Sequence, residues 1–382
     1  MVRLAFVTDN HFDLNSRFEE TVRIHNWIAD DAAERGCTLT LLGGDILEGK
    51  SRPEERNAIA DWLLRMAQLG PLVGVYGNHE VHSDLDIFNL LEAPHPIYFH
   101  DRPAVVVSQG IAIACLPWPR KANLLAALGD AGIPDVNNAA QHHLRNILRG
   151  LGSELDQYEG MPRVGLGHVN IDGAKTDHDQ PLVGSDMSLS LADLGLLRCD
   201  LYLLGHIHAQ QAWSIEGSPC LFGGAPKHNN FGEPGPKGYV VAEFDGQRLV
   251  SWERIPTPAT PMFLLEGRWE NGSLVMNAPL PNVRGGEVRM RYTFPIDERE
   301  MARNAAQALC DHMANDLGAN WVKPEPIPNT TKRARAPEVA RATTIEQKLP
   351  AHWKAVGFSP GEREPELISK AVLLQEEARL AS

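Results

Sequence analysis

The stretch Leu201-Tyr202-Leu203-Leu204-Gly205-His206-Ile207-His208 decides the reading of this chain. A short apolar run that stops at Gly reads as a buried strand. Side chains at i and i+2 of an extended segment leave the same face, so His206 and His208 are expected to point together. Two imidazoles beyond a strand end invite a metal. The same construction recurs elsewhere. Leu4–Thr8 runs into Asp9-Asn10-His11, Leu39–Gly44 into Asp45, Leu72–Gly77 into Asn78-His79, and Val164–Gly167 into His168. Apolar strands that each end in Asp, Asn or His match the site geometry of an open α/β sheet, where ligands sit outside the carboxyl ends of strands.

At 382 residues the chain is long enough for a large core and more than one domain. No apolar run reaches membrane length, and Asp9 arrives before any signal-peptide core, so a cytoplasmic protein with no membrane partner is expected. The five cysteines form no CxxC pair, which fits reduced thiols in a cytosol. Charge is uneven: residues 1–258 hold 20 Lys+Arg against 33 Asp+Glu, which is the whole net charge of −13. Two divalent cations would invert such a field locally. An acidic half still does not advertise nucleic-acid binding.

Helices are expected over 17–35 and 53–69, the second opened by Pro53 with Glu54 and Glu55 in its first turn. With the intervening strands they give a β-α-β-α-β alternation, hence a mostly parallel sheet covered by helices. Strands at 104–108 and 111–116, a helix over 137–151 and a strand at 163–167 follow. His142 and His143 read as surface residues of that helix, and His178, in the polar loop 172–185, as solvated. Past His208, segments 211–215, 219–222, 239–244 and 249–253 suggest a second, antiparallel layer. Pro256, Pro258 and Pro261 mark a boundary. A smaller unit then has strands near 263–269, 287–294 and 320–322 and a helix over 297–317. Pro324, Pro326 and Pro328 mark another boundary. In the tail, Ile345, Leu349, Trp353 and Val356 keep helical spacing, interrupted at Pro350, and Leu367, Ala371, Leu374 and Ala378 make a clearer stripe. The expected organisation is 1–258, 259–328 and 329–382.

Asp, His and Asn without thiolates suit Mn, Fe or Zn. Asp9, His11, Asp45, Asn78, His168, His206 and His208 are more ligands than one ion needs. A carboxylate can bridge two ions, so the set points to a two-metal centre with ions about 3.5–4 Å apart. Such a centre activates water and clamps phosphoryl oxygens for in-line attack. Phosphoester hydrolysis is the reaction class that most needs this.

Asp9-x-His11, Gly44-Asp45, Gly77-Asn78-His79, Gly167-His168 and Gly205-His206-x-His208 resemble the motifs of the calcineurin-like metallophosphoesterases, over about residues 1–255. Within that superfamily, Arg52-Pro53, Phe222-Gly223-Gly224, Asn230-Phe231-Gly232-Glu233 and Lys237-Gly238-Tyr239 resemble the SbcD-type DNA double-strand-break repair nuclease subunit. Strand 288–292 and helix 297–317 are similar to that family's DNA-capping domain, and the tail to helices that dock on a coiled-coil ATPase.

The resemblance implies an α/β fold: a two-layered β-sandwich flanked by helices, with a small α+β cap domain and a helical C-terminal tail. It implies one metal on Asp9, His11 and His208, a second on Asn78, His168 and His206, and Asp45 bridging them. His79 is then the catalytic residue, facing the scissile phosphate to stabilise the transition state or protonate the leaving oxygen. Mn²⁺, a homodimer of the nuclease subunit and an SbcC-like ATPase partner are implied too. So is action on DNA, 3′→5′ from duplex ends and endonucleolytic on single strands. Two positions depart from the pattern: Glu48 stands where some relatives carry His, and Glu80 where Asp is commoner. Glu48 and Arg52 are candidates for positioning substrate. The alternative is a phosphodiesterase for small or cyclic nucleotides, with the cap-like unit as a specificity lid.

Overall fold

The structure, a computed structural model, describes residues 1–81, 83–121, 123–124, 136–175, 187–233, 235–329, 338–339 and 342–380. His178 and most of loop 172–185 lie outside the described residues.

Strands β1 (Val2–Val7), β2 (Leu39–Leu42), β3 (Leu72–Val75) and β4 (Ile97–His100) lie side by side and parallel. Helices α1 (Phe18–Glu34) and α2 (Pro53–Met66) make the first two crossovers. Hairpin β5 (Ala104–Ser108) and β6 (Ile111–Leu116) opens a second sheet. After helix Val136–Leu155, β7 (Arg163–His168) pairs parallel with β6. The short β8 (Asn170–Ile171) and β9 (Ser188–Leu189) pair with each other. Then β10 (Leu201–Gly205) joins β7, again parallel.

The remaining strands of this half correct the expected antiparallel layer. β11 (Gln211–Ile215) and β12 (Ser218–Phe222) extend the second sheet, with β12 parallel to β10. β13 (Gly238–Phe244) and β14 (Leu249–Pro256) cross back to the first, where β13 runs antiparallel to β1. Two six-stranded mixed sheets result, ordered β14-β13-β1-β2-β3-β4 and β11-β12-β10-β7-β6-β5. The period of a strand tells which face is apolar, not which sheet receives it, and both β12 and β13 are apolar enough to sit inside.

Alternation explains the layers. In β1, Leu4 and Phe6 enter the core between the sheets, with Leu203 of β10 and Val240 of β13. Ala5 and Val7 point the other way, under Ile24 and Ile28 of α1 and Ile59 and Leu63 of α2. In β10, Leu201 and Leu203 face the inner core, while Tyr202 and Leu204 lie with Leu144 and Leu148 of helix Val136–Leu155. Strands covered on both faces read as unbroken apolar runs, as these do. Their buried stretches end abruptly where ligand-type residues begin.

The chain divides into two compact units. One comprises Met1–Leu265, Pro279–Met290 and Cys310–Lys323; the other comprises Glu266–Ala278, Arg291–Leu309 and Pro324–Ser382. Beyond β14 lie β15 (Met262–Glu270), β16 (Ser273–Met276), β17 (Glu287–Pro295) and β18 (Trp321–Asn329), in sheet order β16-β15-β17-β18. β17 buries every second residue: Val288, Met290, Tyr292 and Phe294. Helix Arg299–Asn315 buries Ala302, Ala306, Cys310 and Met313.

Pro324, Pro326 and Pro328, expected to mark a break, lie inside β18. They share one parity, and β18 is an edge strand, the place in a sheet where prolines are tolerated. Helix Ile345–Val356 likewise continues through Pro350. In helix Glu364–Leu380 the half-buried side is Leu367, Ile368, Ala371 and Val372, while Leu374 of the expected stripe is exposed. Among the described residues no helix is long and apolar enough to cross a membrane.

Candidate metal centre

Because β1, β2 and β3 run parallel in one sheet and β7 and β10 in the other, their carboxyl ends deliver Asp9, Asp45 and Asn78 from the first and His168 and His206 from the second to one rim. The turns beyond the strands are not extended. Asp9 (φ 54°), His11 (φ 47°), Asp45 (φ 51°) and His206 (φ 102°) all adopt positive φ, which non-glycine residues hold only when their surroundings over-determine it. The determining contacts are visible. Asn10 N–H and His11 N–H both donate to the Asp45 carbonyl, at 2.8 and 3.0 Å. The buried Glu80 carboxylate accepts from the backbone N–H groups of Asp45 (3.1 Å), Ile46 (2.5 Å), Leu47 (3.1 Å) and Gly77 (2.5 Å). Burial and the Asp45 charge push this carboxyl up to about 7, against the pull of those donors.

The expectation that His206 and His208 point together fails for this reason. β10 ends at Gly205 and the chain bends at His206. His208 joins Asp9 and His11; His206 joins Asp45 and His168. Glycine is required before these residues. A Cβ at Gly77 would lie 2.1 Å from Asp45 Oδ1, and one at Gly205 would lie 2.1 Å from Thr8 Oγ1.

In the first group, His11 Nε2 and His208 Nε2 are 3.0 Å apart. Asp9 is fixed by Thr8 Oγ1 (3.0 Å) and by the His206 N–H (2.8 Å). In the second group, Asn78 Oδ1 lies 2.9 Å from His168 Nε2 and 2.8 Å from His206 Nδ1. Asp45 stands between the groups: its Oδ2 is 3.2 Å from His168 Nε2 and 4.0 Å from His11 Nε2. His79 sits at the same oxygen, with its Nε2 4.0 Å away, while its own N–H donates to Asp45 Oδ1 at 2.9 Å.

Glu48 reaches two histidines, His11 Nδ1 at 2.5 Å and His79 Nδ1 at 3.2 Å. Arg52 contacts Asn15 Oδ1 at 3.1 Å, at the start of α2 where its N–H donates to Glu55. His142 lies exposed beside Asn146, and neither it nor His143 belongs to these groups.

The donor set fits divalent ions. Glu233 holds the ring proton of His208 on Nδ1, and the Glu48 carboxylate lies 2.5 Å from His11 Nδ1, so the two Nε2 atoms oppose each other beside Asp9. His168 Nδ1 donates to the Gly43 carbonyl at 2.7 Å, which turns its Nε2 lone pair on Asp45 and Asn78 oxygens. Acceptors gathered against acceptors in a buried site call for cations. Burial opposes protonation of His168, but Asp45 pushes its ring up to about 9. Burial and the neighbouring His168 charge push His206 down to about 3. The Glu48 hydrogen bond, with burial opposing, raises His79 to about 9.

Other residues of the site carried no role from sequence. Glu233 holds His208 Nδ1 at 2.9 Å, and Lys237 holds Glu233 at 2.8 Å. Trp118 packs its ring on His206, centroids 4.7 Å apart. Opposite charges four residues apart, Glu233 and Lys237, were the available signal.

Residues 2–210 match the sequence profile of the calcineurin-like phosphoesterases. No curated protein matches the chain. Among solved structures, GAP50, the anchor in the inner membrane complex of Plasmodium, is 11% identical over 67% of this chain and 89% of its own, with a TM-score of 0.41. TT1561 of Thermus thermophilus is 14% identical over 67% and 98%, with a TM-score of 0.39. A dimetal phosphatase from Danio rerio is 11% identical over 67% and 98%, with a TM-score of 0.42. Likenesses this weak add nothing to the assignment, but the profile spans more than half of the 382 residues and runs from β1 past His208. The chain therefore belongs to the calcineurin-like phosphoesterase family, whose members are phosphoester hydrolases using two divalent metals.

Proposed function

We propose that this protein is a two-metal phosphodiesterase acting on DNA, the nuclease subunit of an SbcCD-like repair complex. It would act as a 3′→5′ exonuclease on duplex ends and as an endonuclease on single strands. The observation that carries the reading is the asymmetry of the centre. The candidate ligands Asp9, His11, Asp45 and His168 are buried, whereas the side chains of His79 and Glu48 are 36% and 45% exposed. A polymer phosphodiester can therefore approach from the His79 side without being enclosed.

One ion would take Asp9, His11 and His208; the other would take Asn78, His168 and His206; Asp45 would bridge them. Oxygen and imidazole ligands without thiolate suit Mn²⁺. Two such ions supply Lewis acidity and a nucleophile at neutral pH. The chain's own part is positional and protonic. Glu48 accepts from His79 Nδ1 and raises the ring to about 9, so at neutral pH it is an imidazolium whose Nε2–H faces the Asp45 edge of the centre and would donate to the departing oxygen. We assign 1–258 as the nuclease domain, 259–328 as a cap-like domain and 329–382 as the segment that docks on an ATPase. A homodimer and a cytoplasmic location complete the proposal.

The test is hydrolysis by the purified chain in Mn²⁺. A short end-labelled duplex is compared with bis-p-nitrophenyl phosphate and a cyclic nucleotide, with Asp45→Ala as blank. Stepwise shortening of the duplex supports the nuclease. Turnover of the small esters alone supports the alternative, a phosphodiesterase for small nucleotides, which the −13 charge of residues 1–258 favours. Deleting 331–382 should abolish co-purification with an ATPase partner; retained capture would remove the docking role.

A further inference from the structure

We propose that Glu233, held by Lys237, is a positioning residue that sets the tautomer of His208 and so the affinity of the Asp9–His11–His208 metal site. The inference rests on the two-metal reading of that site.

The loop after β12 brings Glu233 beneath the centre, where its side chain is fully buried. Every one of its acceptor positions is used. Oε1 faces His208 Nδ1 at 2.9 Å and accepts from Asn230 Nδ2 at 3.0 Å. Oε2 pairs with Lys237 Nζ at 2.8 Å and accepts from the Asn229 N–H at 3.0 Å. Lys237, 1% exposed at its side chain, also reaches the His208 carbonyl at 3.4 Å. The pair thus grips one residue at both its ring and its backbone.

A buried ion pair is weak evidence for stability, because desolvation offsets its attraction. The arrangement does more than pair charges. Two groups reach His208 Nδ1, the Glu233 carboxylate at 2.9 Å and Asn229 Nδ2 at 3.3 Å. The carboxylate accepts only and is the closer and the charged one, so it holds the ring proton on Nδ1 and leaves a lone pair on Nε2, the atom facing His11 Nε2 at 3.0 Å. Lys237 occupies the second oxygen and leaves the first to the ring. The same division predicts what an amide would do. In Glu233→Gln, Lys237 takes the single remaining oxygen, the amide NH₂ turns to His208 Nδ1, and the ring proton moves to Nε2, where it blocks the metal. Removing the lysine as well frees the amide oxygen for His208 and restores the tautomer.

The experiment reads side-chain ¹⁵N shifts of His208 in metal-free protein, and Mn²⁺ binding by calorimetry, for wild type, Glu233→Gln and Glu233→Gln/Lys237→Met. The expected wild-type result is a protonated Nδ1 on His208. Glu233→Gln should switch the ring to the Nε2–H tautomer and weaken one Mn²⁺ site by about 10–100-fold, leaving the other unchanged. The double variant should recover the Nδ1–H tautomer and most of the lost affinity. A neutral Nε2–H His208 in wild type overturns the proposal without recourse to any variant. So does unchanged Mn²⁺ binding in Glu233→Gln, or a double variant no better than the single one. The shifts are read without metal, so they stand or fall separately from the two-metal reading, which fails instead if wild type binds no Mn²⁺.

Discussion

Asp45 and Glu80 are two carboxylates that meet across one backbone turn: the N–H of Asp45 donates to Glu80 Oε2 at 3.1 Å. Glu80 also gathers the next two N–H groups and that of Gly77, and so holds Asp45 in its left-handed conformation between the two metal groups. The carboxylate proposed to bridge is thus fixed from behind by the buried Glu80.

Asp45→Asn should disable both ion sites at once, since Oδ2 is the atom nearest to both groups. The loss should exceed the roughly 10–100-fold that removing even a hydrogen-bond partner of a metal ligand costs. Mn²⁺-dependent hydrolysis of bis-p-nitrophenyl phosphate measures it; activity within a few-fold of wild type would remove Asp45 from the bridging position.

His79→Ala should retain both ions yet lose about 10²–10⁴-fold in turnover, the range of a general acid. Metal analysis of the purified variant alongside its kinetics separates the two effects. Equal turnover would show that proton transfer does not pass through His79.

Gly77→Ala tests the close packing behind the centre. The added methyl would stand 2.1 Å from Asp45 Oδ1 and 2.5 Å from the Asp45 nitrogen, and the second is a backbone contact that no rotamer change can relieve. A cost of about 1–3 kcal/mol is expected, read from urea unfolding, together with weakened Mn²⁺ binding. A variant as stable and as metal-avid as wild type would show that the turn can shift freely.

Acid should destabilise the fold through His25. Its ring is fully buried, with Nδ1–H donating to the Thr21 carbonyl at 2.7 Å, and burial, with Lys227 adding, pushes it down to about 3. Asn10 Oδ1 stands 2.6 Å from Nε2 while Asn10 Nδ2 has no partner among the described residues, so a neutral ring needs the amide turned to present its NH₂. The unfolded chain takes up this proton near pH 6.5 and the folded chain only near 3, so stability is full above 6.5 and falls as pH drops between them. The slope is about 1.4 kcal/mol per pH unit for one such group. Urea titrations from pH 7 to 4 should show a shallower slope in His25→Gln; an unchanged slope would place the acid sensitivity elsewhere.

The strands and their terminal ligands were legible because β1, β2, β3, β7 and β10 are buried apolar runs that end at ligand-type residues, preceded by glycine in all but β1. The conformation beyond them was not. Positive φ at Asp9, Asp45 and His206 arises from contacts between turns far apart in sequence, such as Asn10 N–H on the Asp45 carbonyl. β12 and β13 were visible as strands, but their sheets follow from packing rather than period. Pro324, Pro326 and Pro328 read as a break because only the finished sheet shows that β18 is an edge. Glu233 and Lys237 carried only a family resemblance in the sequence, and only the fold shows them buried against His208.

The most direct test of the two-metal centre is anomalous diffraction from crystals grown in Mn²⁺. Two peaks about 3.5–4 Å apart are predicted, one among Asp9, His11 and His208, the other among Asn78, His168 and His206, with Asp45 between them. A single peak, or none at these side chains in protein that binds Mn²⁺ in solution, would contradict the account.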